Sequence, residues 1–245
     1  MNNKIKGYYK SFLGKTVFEE DGLNFVLKQA KHSDRILNSN YYYPLIMTTY
    51  NSQKILSFSE NEISYFISYL NKTHEKDINK IISCFFSDKD MIQTKIMYRM
   101  TTCEISSFSS SARCLIEDDK KLFLNSGSDL SIDKREKKWQ KILPFILKGR
   151  CFIYEKNQKI VSIAHISDIQ CGGANIVVVT DPKEQGNGYA KHVVAKAINW
   201  SVQHNVLPIY FVDSSNFSSL KLAQKLNFKS ISSELVISKY YEENN

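Results

Sequence analysis

The 245-residue chain has 42% hydrophobic and 24% charged residues, a balance that excludes an intrinsically disordered protein. Its 33 Lys and Arg residues against 25 Asp and Glu residues give a formal net charge of +8. We find no dense Lys/Arg block of the kind that binds nucleic acid, and most lysines are expected to form a solvated surface. The basic excess therefore favours a polyanionic small ligand over nucleic acid.

The cysteine pattern and the lengths of the apolar runs indicate the cellular compartment in which the protein is expected. Five cysteines without Cys-x-x-Cys spacing favour neither a disulfide framework nor a metal site, so we expect reduced, mostly buried thiols. No apolar run approaches the roughly 20 residues of a membrane span, and residues 1–4 lack the apolar segment of a secretory signal. These features predict a cytoplasmic protein that binds no membrane and no metal.

The first elements along the chain alternate between helix and strand. Residues 17–37 are apolar at near-helical spacing and predict a helix. Residues 45–50 and 54–58 predict a β-hairpin, and residues 59–62 have the pattern of a capping box that opens a helix. A short helix is expected over residues 78–86.

A domain boundary is predicted before residue 92, where residues alternate between apolar and polar as far as Met100, the period of a strand. Residues 1–91 then form a smaller α+β domain, for which we consider a lid or substrate-recognition role or a degenerate second half of the same fold. Residues 92–242 form the larger domain. The serine-rich segment 106–111 is expected to be a loop.

The larger domain predicts a mixed sheet with helices. A helix over residues 133–148 should be kinked or broken at Pro144 and end at Gly149. The continuous apolar run within residues 175–180 is typical of a central strand covered on both faces. The other predicted elements are strands 151–155, 160–167, 208–212 and 235–238 and helices 190–203 and 216–226.

A glycine-rich turn between the central strand and a helix is the most informative motif. It reads Gln185, Gly186, Asn187, Gly188, Tyr189, Ala190. A helix N-terminus presents free backbone N–H groups and the positive end of the helix dipole, and glycines let an anion approach the backbone. The turn therefore predicts an anion site, although a Gly-x-Gly pair alone is a weak signal.

The whole pattern, Gln-x-x-Gly-x-Ala after an apolar strand and Asp-Pro, resembles the acetyl-CoA pyrophosphate loop of the GNAT N-acetyltransferases. A second block, residues 216–228, resembles the helix of that family that reads Asn-x-Ala-Ser-x-Arg-Leu-Tyr-x-Lys-Leu-Gly-Phe. The resemblance covers roughly residues 92–242. It implies a mixed α/β GNAT fold preceded by the smaller N-terminal domain, and an acyltransferase that uses acetyl-CoA as donor substrate.

The resemblance also implies the roles of individual residues. Two strands should separate so that the pantetheine arm pairs with Val177, Val178 and Val179, whose backbone polarises the thioester. The phosphates should lie on residues 185–190. Asn216 and Ser219 should lie along the pantetheine arm, although a helix cap followed by an amphipathic core helix explains them equally well.

Two proton carriers common in the family are replaced here, by Asn175 and Ala223. The remaining candidates for catalysis are Asp213, His165 and Tyr210, each of which could equally be structural, and water-mediated deprotonation stays open.

The acceptor is expected to be an amine-bearing small molecule. Protein or aminoacyl-tRNA acetylation and a catalytically silent acyl-CoA-binding module are the alternatives, and a homodimer is left open.

Overall fold

The computed structural model describes residues 3–19, 24–30, 41–50, 52–126 and 131–240. The chain divides into two compact units, each described by itself below. Unit 1 comprises Met1–Arg99, Asp213–Ser215 and Ile231–Asn245, and unit 2 comprises Met100–Val212 and Asn216–Ser230. The division into domains 1–91 and 92–242, with the roles considered for the first, stays a prediction.

Unit 1 has three helices and six strands among its described residues. The helices are α1 (Asn3–Leu13), α2 (Glu60–Leu70) and α3 (Ile78–Ser87). The strands are β1 (Lys15–Phe18), β2 (Phe25–Gln29), β3 (Tyr41–Tyr50), β4 (Gln53–Phe58), β5 (Ile92–Thr101) and β11 (Lys229–Tyr240). Strands β5 and β11 each have two residues in unit 2.

The sheet of unit 1 has the order β1-β2-β4-β3-β11-β5. The predicted hairpin is confirmed, with Leu45 opposite Phe58 in an antiparallel register. Strand β2 is parallel to β4, and β11 is antiparallel to β3. Helices α2 and α3 bury an aromatic and aliphatic core on this sheet, in which the Phe58 and Phe66 rings lie 4.4 Å apart.

The helix predicted over residues 17–37 is wrong in its described part, which forms β1 and β2. Strand β2 is paired on both edges, and Phe25, Val26 and Leu27 are all buried, so consecutive side chains are covered on both faces of the sheet and the apolar run reflects a covered strand. Gly14 permits this packing: a Cβ there would lie 2.0 Å from the Gln29 carbonyl oxygen. Residues 31–37 lie outside the described residues.

Two helix starts in unit 1 also differ from expectation. Helix α1 was not predicted, although it buries Tyr8, Tyr9, Phe12 and Leu13. Helix α2 begins where the capping box indicated, but the Ser59 side chain makes no capping hydrogen bond. The negative charges of Glu60 and Glu62 in the first turn favour the helix start through the dipole.

A buried ion pair joins α1 to the sheet of unit 1. The Arg99 guanidinium donates from Nε and Nη2 to the two carboxylate oxygens of Glu234, each at 2.9 Å, and both side chains are at least 95% buried. Glu234 also accepts from the Tyr9 hydroxyl at 2.8 Å and the Ser232 hydroxyl at 2.7 Å. Phe12 lies 3.8 Å from the guanidinium carbon, so the charge is enclosed on all these sides.

Unit 2 contains the remaining described elements. Its helices are α4 (Lys120–Asn125), α5 (Ile132–Ile146), α6 (Tyr189–Gln203) and α7 (Phe217–Lys225). Its strands are β6 (Arg113–Cys114), β7 (Cys151–Lys156), β8 (Lys159–Gln170), β9 (Gly173–Thr180) and β10 (Leu207–Asp213). The segment 106–111 is a loop, as predicted.

The sheet of unit 2 has the order β10-β9-β8-β7-β6. Strands β7, β8 and β9 form an antiparallel meander, in which His165 of β8 lies opposite Cys151 of β7 and Val177 of β9. Strand β10 is parallel to β9 for three residue pairs, the last being Ile209 with Asn175. The prediction of a mixed sheet is confirmed.

Three details of unit 2 refine the sequence predictions. Helix α5 runs through Pro144 without a break and ends at Ile146, with Gly149 in the left-handed region at φ 63°. Strand β9 is not covered on both faces as expected, because Val179 is 60% exposed. The five cysteines are free, but only Cys151 is buried, so the expectation of mostly buried thiols is wrong.

Replacing Glu234 with leucine should destabilise the protein by about 3–5 kcal/mol, because the Arg99 guanidinium would stay buried without its counter-charge. The double variant Arg99→Met, Glu234→Leu should recover most of that loss. Equilibrium unfolding in urea measures both. The control is Glu136→Gln, which breaks an exposed pair with Lys120 and should cost below about 1 kcal/mol. Equal losses in Glu234→Leu and Glu136→Gln would contradict this account.

Candidate functional site

The loop between β9 and α6 has the geometry of an anion-binding turn. Asp181 accepts a 2.9 Å hydrogen bond from the Lys183 N–H and starts a short 3₁₀ turn. Gly186 and Gly188 follow at φ 82° and 86°, and α6 begins at Tyr189 directly after them. Residues 185–188 are exposed. The first N–H groups of α6 therefore face solvent at the positive end of a 15-residue helix.

The two glycines leave the approach to this turn open. A Cβ built on Gly186 or Gly188 would meet no heavy atom within 4 Å. Their positive φ values are strained for other residues, so glycine is required by backbone conformation rather than by crowding. The Asn187 amide donates to the Glu184 carbonyl oxygen at 3.2 Å and holds the turn.

Strand β9 leads into this loop with one edge unpaired along part of its length. Its register with β8 runs from Gly173 to Thr180, whereas its register with β10 ends at Asn175. Val177, Val178 and Val179 therefore lie beyond the last β10 pair. Their backbone groups directed toward β10 are placed to pair with an extended ligand.

The start of α7 holds Asn216 and Ser219. The Asn216 side-chain oxygen accepts from the Ser219 N–H at 3.1 Å and from the Ser218 hydroxyl at 2.9 Å. Asn216 is thus the helix cap, which the sequence analysis gave as the alternative to a ligand contact. Its side-chain N–H₂ group is the part that remains for a ligand. The Ser219 side chain hydrogen-bonds Tyr210.

Tyr210 lies on β10 immediately after the last residue paired with β9. It is 4% exposed, and its ring centroid lies 5.5 Å from that of Phe228. Burial raises the pKa of its hydroxyl, and the Ser219 hydrogen bond offsets part of the rise. Tyr210 is therefore protonated at neutral pH and able to donate a proton.

His165 lies on β8 opposite Val177, and its ring stacks on Phe145 of α5 with centroids 5.0 Å apart. Burial lowers the pKa of the imidazole to about 4. The side chain is thus neutral at pH 7. Because Val177 and Asn175 share one face of β9, and Ile209 pairs with Asn175, Tyr210 and His165 project from opposite faces of the sheet.

Asp213 belongs to unit 1. Its carboxylate accepts from the Ser215 N–H at 2.9 Å and the Ser215 hydroxyl at 2.7 Å, and it lies 3.7 Å from the Lys95 ammonium. These Ser215 bonds, followed by the Lys95 charge, lower the carboxyl pKa. The group is therefore a weak base.

The two positions that depart from the GNAT pattern are occupied by side chains with structural contacts. The Asn175 amide donates to the Ser167 hydroxyl at 3.1 Å across the β8–β9 pair. Ala223 is fully buried in α7.

An aromatic group around the start of α6 was missed from sequence. Tyr154 of β7 stacks on Tyr189 at 4.7 Å and contacts His192 at 4.8 Å, while Phe108 of the serine-rich loop meets the other side of His192 at 4.7 Å. The Ser111 N–H donates to Nδ1 of His192 at 3.0 Å. The contributors are too far apart in sequence for a local pattern to show them.

Lys156 joins the same region to the loop. Its ammonium lies 3.1 Å from the Glu184 carboxylate, and hydrogen bonds to Tyr189 and then Glu184 raise its pKa. The Lys156–Glu184 ion pair therefore lies beside the helix start.

Comparison with known proteins agrees with this geometry. The family model described as GNAT acetyltransferase matches residues 43–233. The chain belongs to this family. The match begins well before residue 92, so it includes part of the region that the sequence resemblance left out.

Of two solved structures that resemble this chain, the first has the same fold. A GNAT-family acetyltransferase from Colwellia psychrerythraea is 12% identical, with 98% of this chain and 96% of that chain covered and a TM-score of 0.53. A GCN5-related N-acetyltransferase-like protein from Streptococcus suis is 15% identical over 80% and 83% of the two chains, with a TM-score of 0.45. At these identities only the fold is shown, and only the first score exceeds 0.5.

No curated protein matches the sequence. Among the described residues, no helix is long and apolar enough to span a membrane. In the same part of the chain, no group of three or more His, Cys, Asp or Glu side chains is arranged to hold a metal ion.

The lowered pKa of His165 should make stability depend on pH. Above pH 6.5 the imidazole is neutral in both states; as pH falls toward 4 the unfolded chain takes up a proton that the folded protein does not. Between pH 7 and pH 5 this histidine should cost about 2 kcal/mol of unfolding free energy. His165→Phe should remove that part of the loss in urea unfolding at the two pH values.

The control for this pH experiment is His74→Gln, which alters an exposed histidine and should leave the pH dependence as in the wild type. A pH dependence unchanged by His165→Phe would contradict the buried neutral imidazole.

Proposed function

We propose that this GNAT-family protein transfers an acetyl group from acetyl-CoA to the primary amine of a small molecule. The observation that carries the proposal is the separation of β9 from β10 after Asn175, directly before an exposed glycine turn at the start of α6. A ligand with an extended arm and a phosphate group at one end fits this arrangement. The pantetheine arm would take the open edge of β9, and the pyrophosphate would take the N–H groups of the turn.

The donor site in this proposal is made of three segments of unit 2. The pyrophosphate lies on Gln185, Gly186, Asn187, Gly188, Tyr189 and Ala190. The pantetheine arm pairs with Val177, Val178 and Val179 and passes Asn216 and Ser219 at the start of α7. Lys156, beside Tyr189, adds a positive charge near the phosphates.

The reaction is a direct acyl transfer. The amine nitrogen attacks the thioester carbonyl carbon, and a backbone N–H of β9 stabilises the oxyanion that forms. The carbon–sulfur bond then breaks, its electron pair goes to sulfur, and the amine loses one proton. The products are an N-acetyl amine and CoA.

Tyr210 is the proposed acid. It projects to the α7 face, where the family pattern places the tyrosine that Ala223 replaces, and it adjoins the end of the β9–β10 pairing. Its raised pKa keeps a proton available for the leaving thiolate.

The two candidate bases, His165 and Asp213, are weak. With lowered pKa values, neither His165 nor Asp213 can deprotonate an alkylammonium efficiently. The acceptor is therefore proposed to bind as the free amine and to lose its proton after attack, to water or to His165.

We also place the protein in the cytoplasm. Its four exposed free thiols, Cys84, Cys103, Cys114 and Cys171, suit a reducing compartment.

Acetyl-CoA binding should depend on Gly188. In Gly188→Val the side chain would occupy the open space in front of the turn and strain the backbone, so affinity should fall by roughly 100-fold or more in isothermal titration. Gly172→Val is the matched control: φ is 81° and the Cβ position is equally open, but the residue lies in the β8–β9 turn. A wild type that binds no acetyl-CoA would refute the proposal.

Tyr210→Phe should lower kcat by about 100-fold or more with little change in the KM for acetyl-CoA, because only proton donation to the thiolate is lost. Release of CoA measured with a thiol reagent gives both constants. Tyr98→Phe, on β5, serves as the control. Binding of acetyl-CoA without turnover of any amine would instead favour a silent acyl-CoA-binding module. That alternative is considered because Asn175 and Ala223 replace the usual proton carriers of the family.

A further inference from the structure

A buried arginine next to the proposed site has no role in the mechanism above. Arg150 lies between α5 and β7 and is 9% exposed. Its N–H donates to the Phe145 carbonyl oxygen at 2.9 Å, and its carbonyl oxygen accepts from the Ile166 N–H at 2.9 Å. The backbone of Arg150 is therefore held between the end of α5 and strand β8.

The guanidinium of Arg150 has no counter-charge among the residues that the structure describes. Its Nε is buried without a hydrogen-bond partner, and within the described ranges no carboxylate forms an ion pair with it. The comparably buried Arg99, by contrast, is paired with Glu234. A buried charge without a partner is costly, and a bound anion would supply the missing partner.

The neighbours of Arg150 connect it to the strand that holds the thioester. Its guanidinium carbon lies 5.7 Å from the Phe145 ring centroid, and the same ring stacks on His165. His165 is opposite Val177 of β9. Arg150, Phe145, His165 and Val177 thus form a continuous row in unit 2. Because the Phe145 ring and the His165 imidazole are uncharged, the Arg150 guanidinium carries the charge among these four residues.

We propose that Arg150 binds a carboxylate of the acceptor, so that the acceptor is an amino acid or short peptide rather than a simple amine. The inference rests on the proposed function and specifies its substrate class. A carboxylate fits because its single negative charge matches one guanidinium and its two oxygens match the planar fork of N–H groups. A phosphate monoester, with nearly two negative charges at neutral pH, would leave one charge unmatched.

The test compares each of the twenty standard amino acids with its amide as acceptor, using CoA release. The wild type should prefer one or more acids over the matching amide by roughly 10- to 100-fold in kcat/KM. Arg150→Met should abolish that preference, so that the acid and its amide react with similar kcat/KM, and Arg150→Lys should keep part of it. Arg113→Met, which removes an exposed and already paired arginine, should behave as the wild type.

A second readout does not depend on turnover. The preferred amino acid should raise the melting temperature of the wild type at millimolar concentration and should not raise that of Arg150→Met. The variant without ligand should melt at or above the wild-type temperature, because methionine removes a buried uncompensated charge.

The outcomes separate the two proposals. Failure to bind acetyl-CoA would refute the acetyltransferase proposal, while the melting shifts would still test the carboxylate site. Equal rates with acids and amides, a preference retained in Arg150→Met, or an absence of both transfer and melting shifts with all twenty amino acids would overturn the assignment of Arg150.

Discussion

The parting of β9 from β10 is the constraint on which the site of this protein depends. A parallel pair that continued beyond Ile209 would use the backbone groups of Val177–179 within the sheet, and nothing extended could pair there. Because the pairing stops after three residues, the same backbone is left for a ligand while β8 holds the other edge in register. The strand is paired on one edge and available on the other, and the glycine turn at its end adds the proposed anion site.

The two buried arginines, Arg99 and Arg150, differ in whether a carboxylate neutralises the guanidinium. This difference distinguishes a structural arginine from one proposed to bind substrate. Arg99 has a bidentate carboxylate partner, which in turn accepts hydroxyl hydrogen bonds, so that charge is satisfied inside unit 1. Arg150 in unit 2 is nearly as buried, but its guanidinium lies near the Phe145 ring and forms no ion pair with a described carboxylate. The first arrangement satisfies its charge within the fold, whereas the second would gain stability from a bound anion, as proposed above.

The proton chemistry shows why residue type alone is a poor guide to catalysis. Asp213, His165 and Tyr210 all carry groups capable of moving protons, yet their surroundings differ. Two hydrogen bonds from Ser215 weaken Asp213 as a base, burial keeps His165 neutral, and burial keeps Tyr210 protonated. The Ser215 contact of Asp213 is local, but the contacts of Tyr210 with Ser219 and of His165 with Phe145 join residues farther apart in the sequence.

The sequence by itself determined the local features: the hairpins, the run of Gly186 and Gly188 into a helix, and the family of the fold, because turn residues, hydrophobic period and loop motifs act over a few neighbours. Tertiary structure decided the rest. Residues 25–29 became a strand because β4 and β1 offered edges, and α1 was held by Tyr9 reaching Glu234, 225 positions away. Whether an arginine such as Arg150 meets a carboxylate depends on which distant segments pack around it, and a linear pattern does not contain that information.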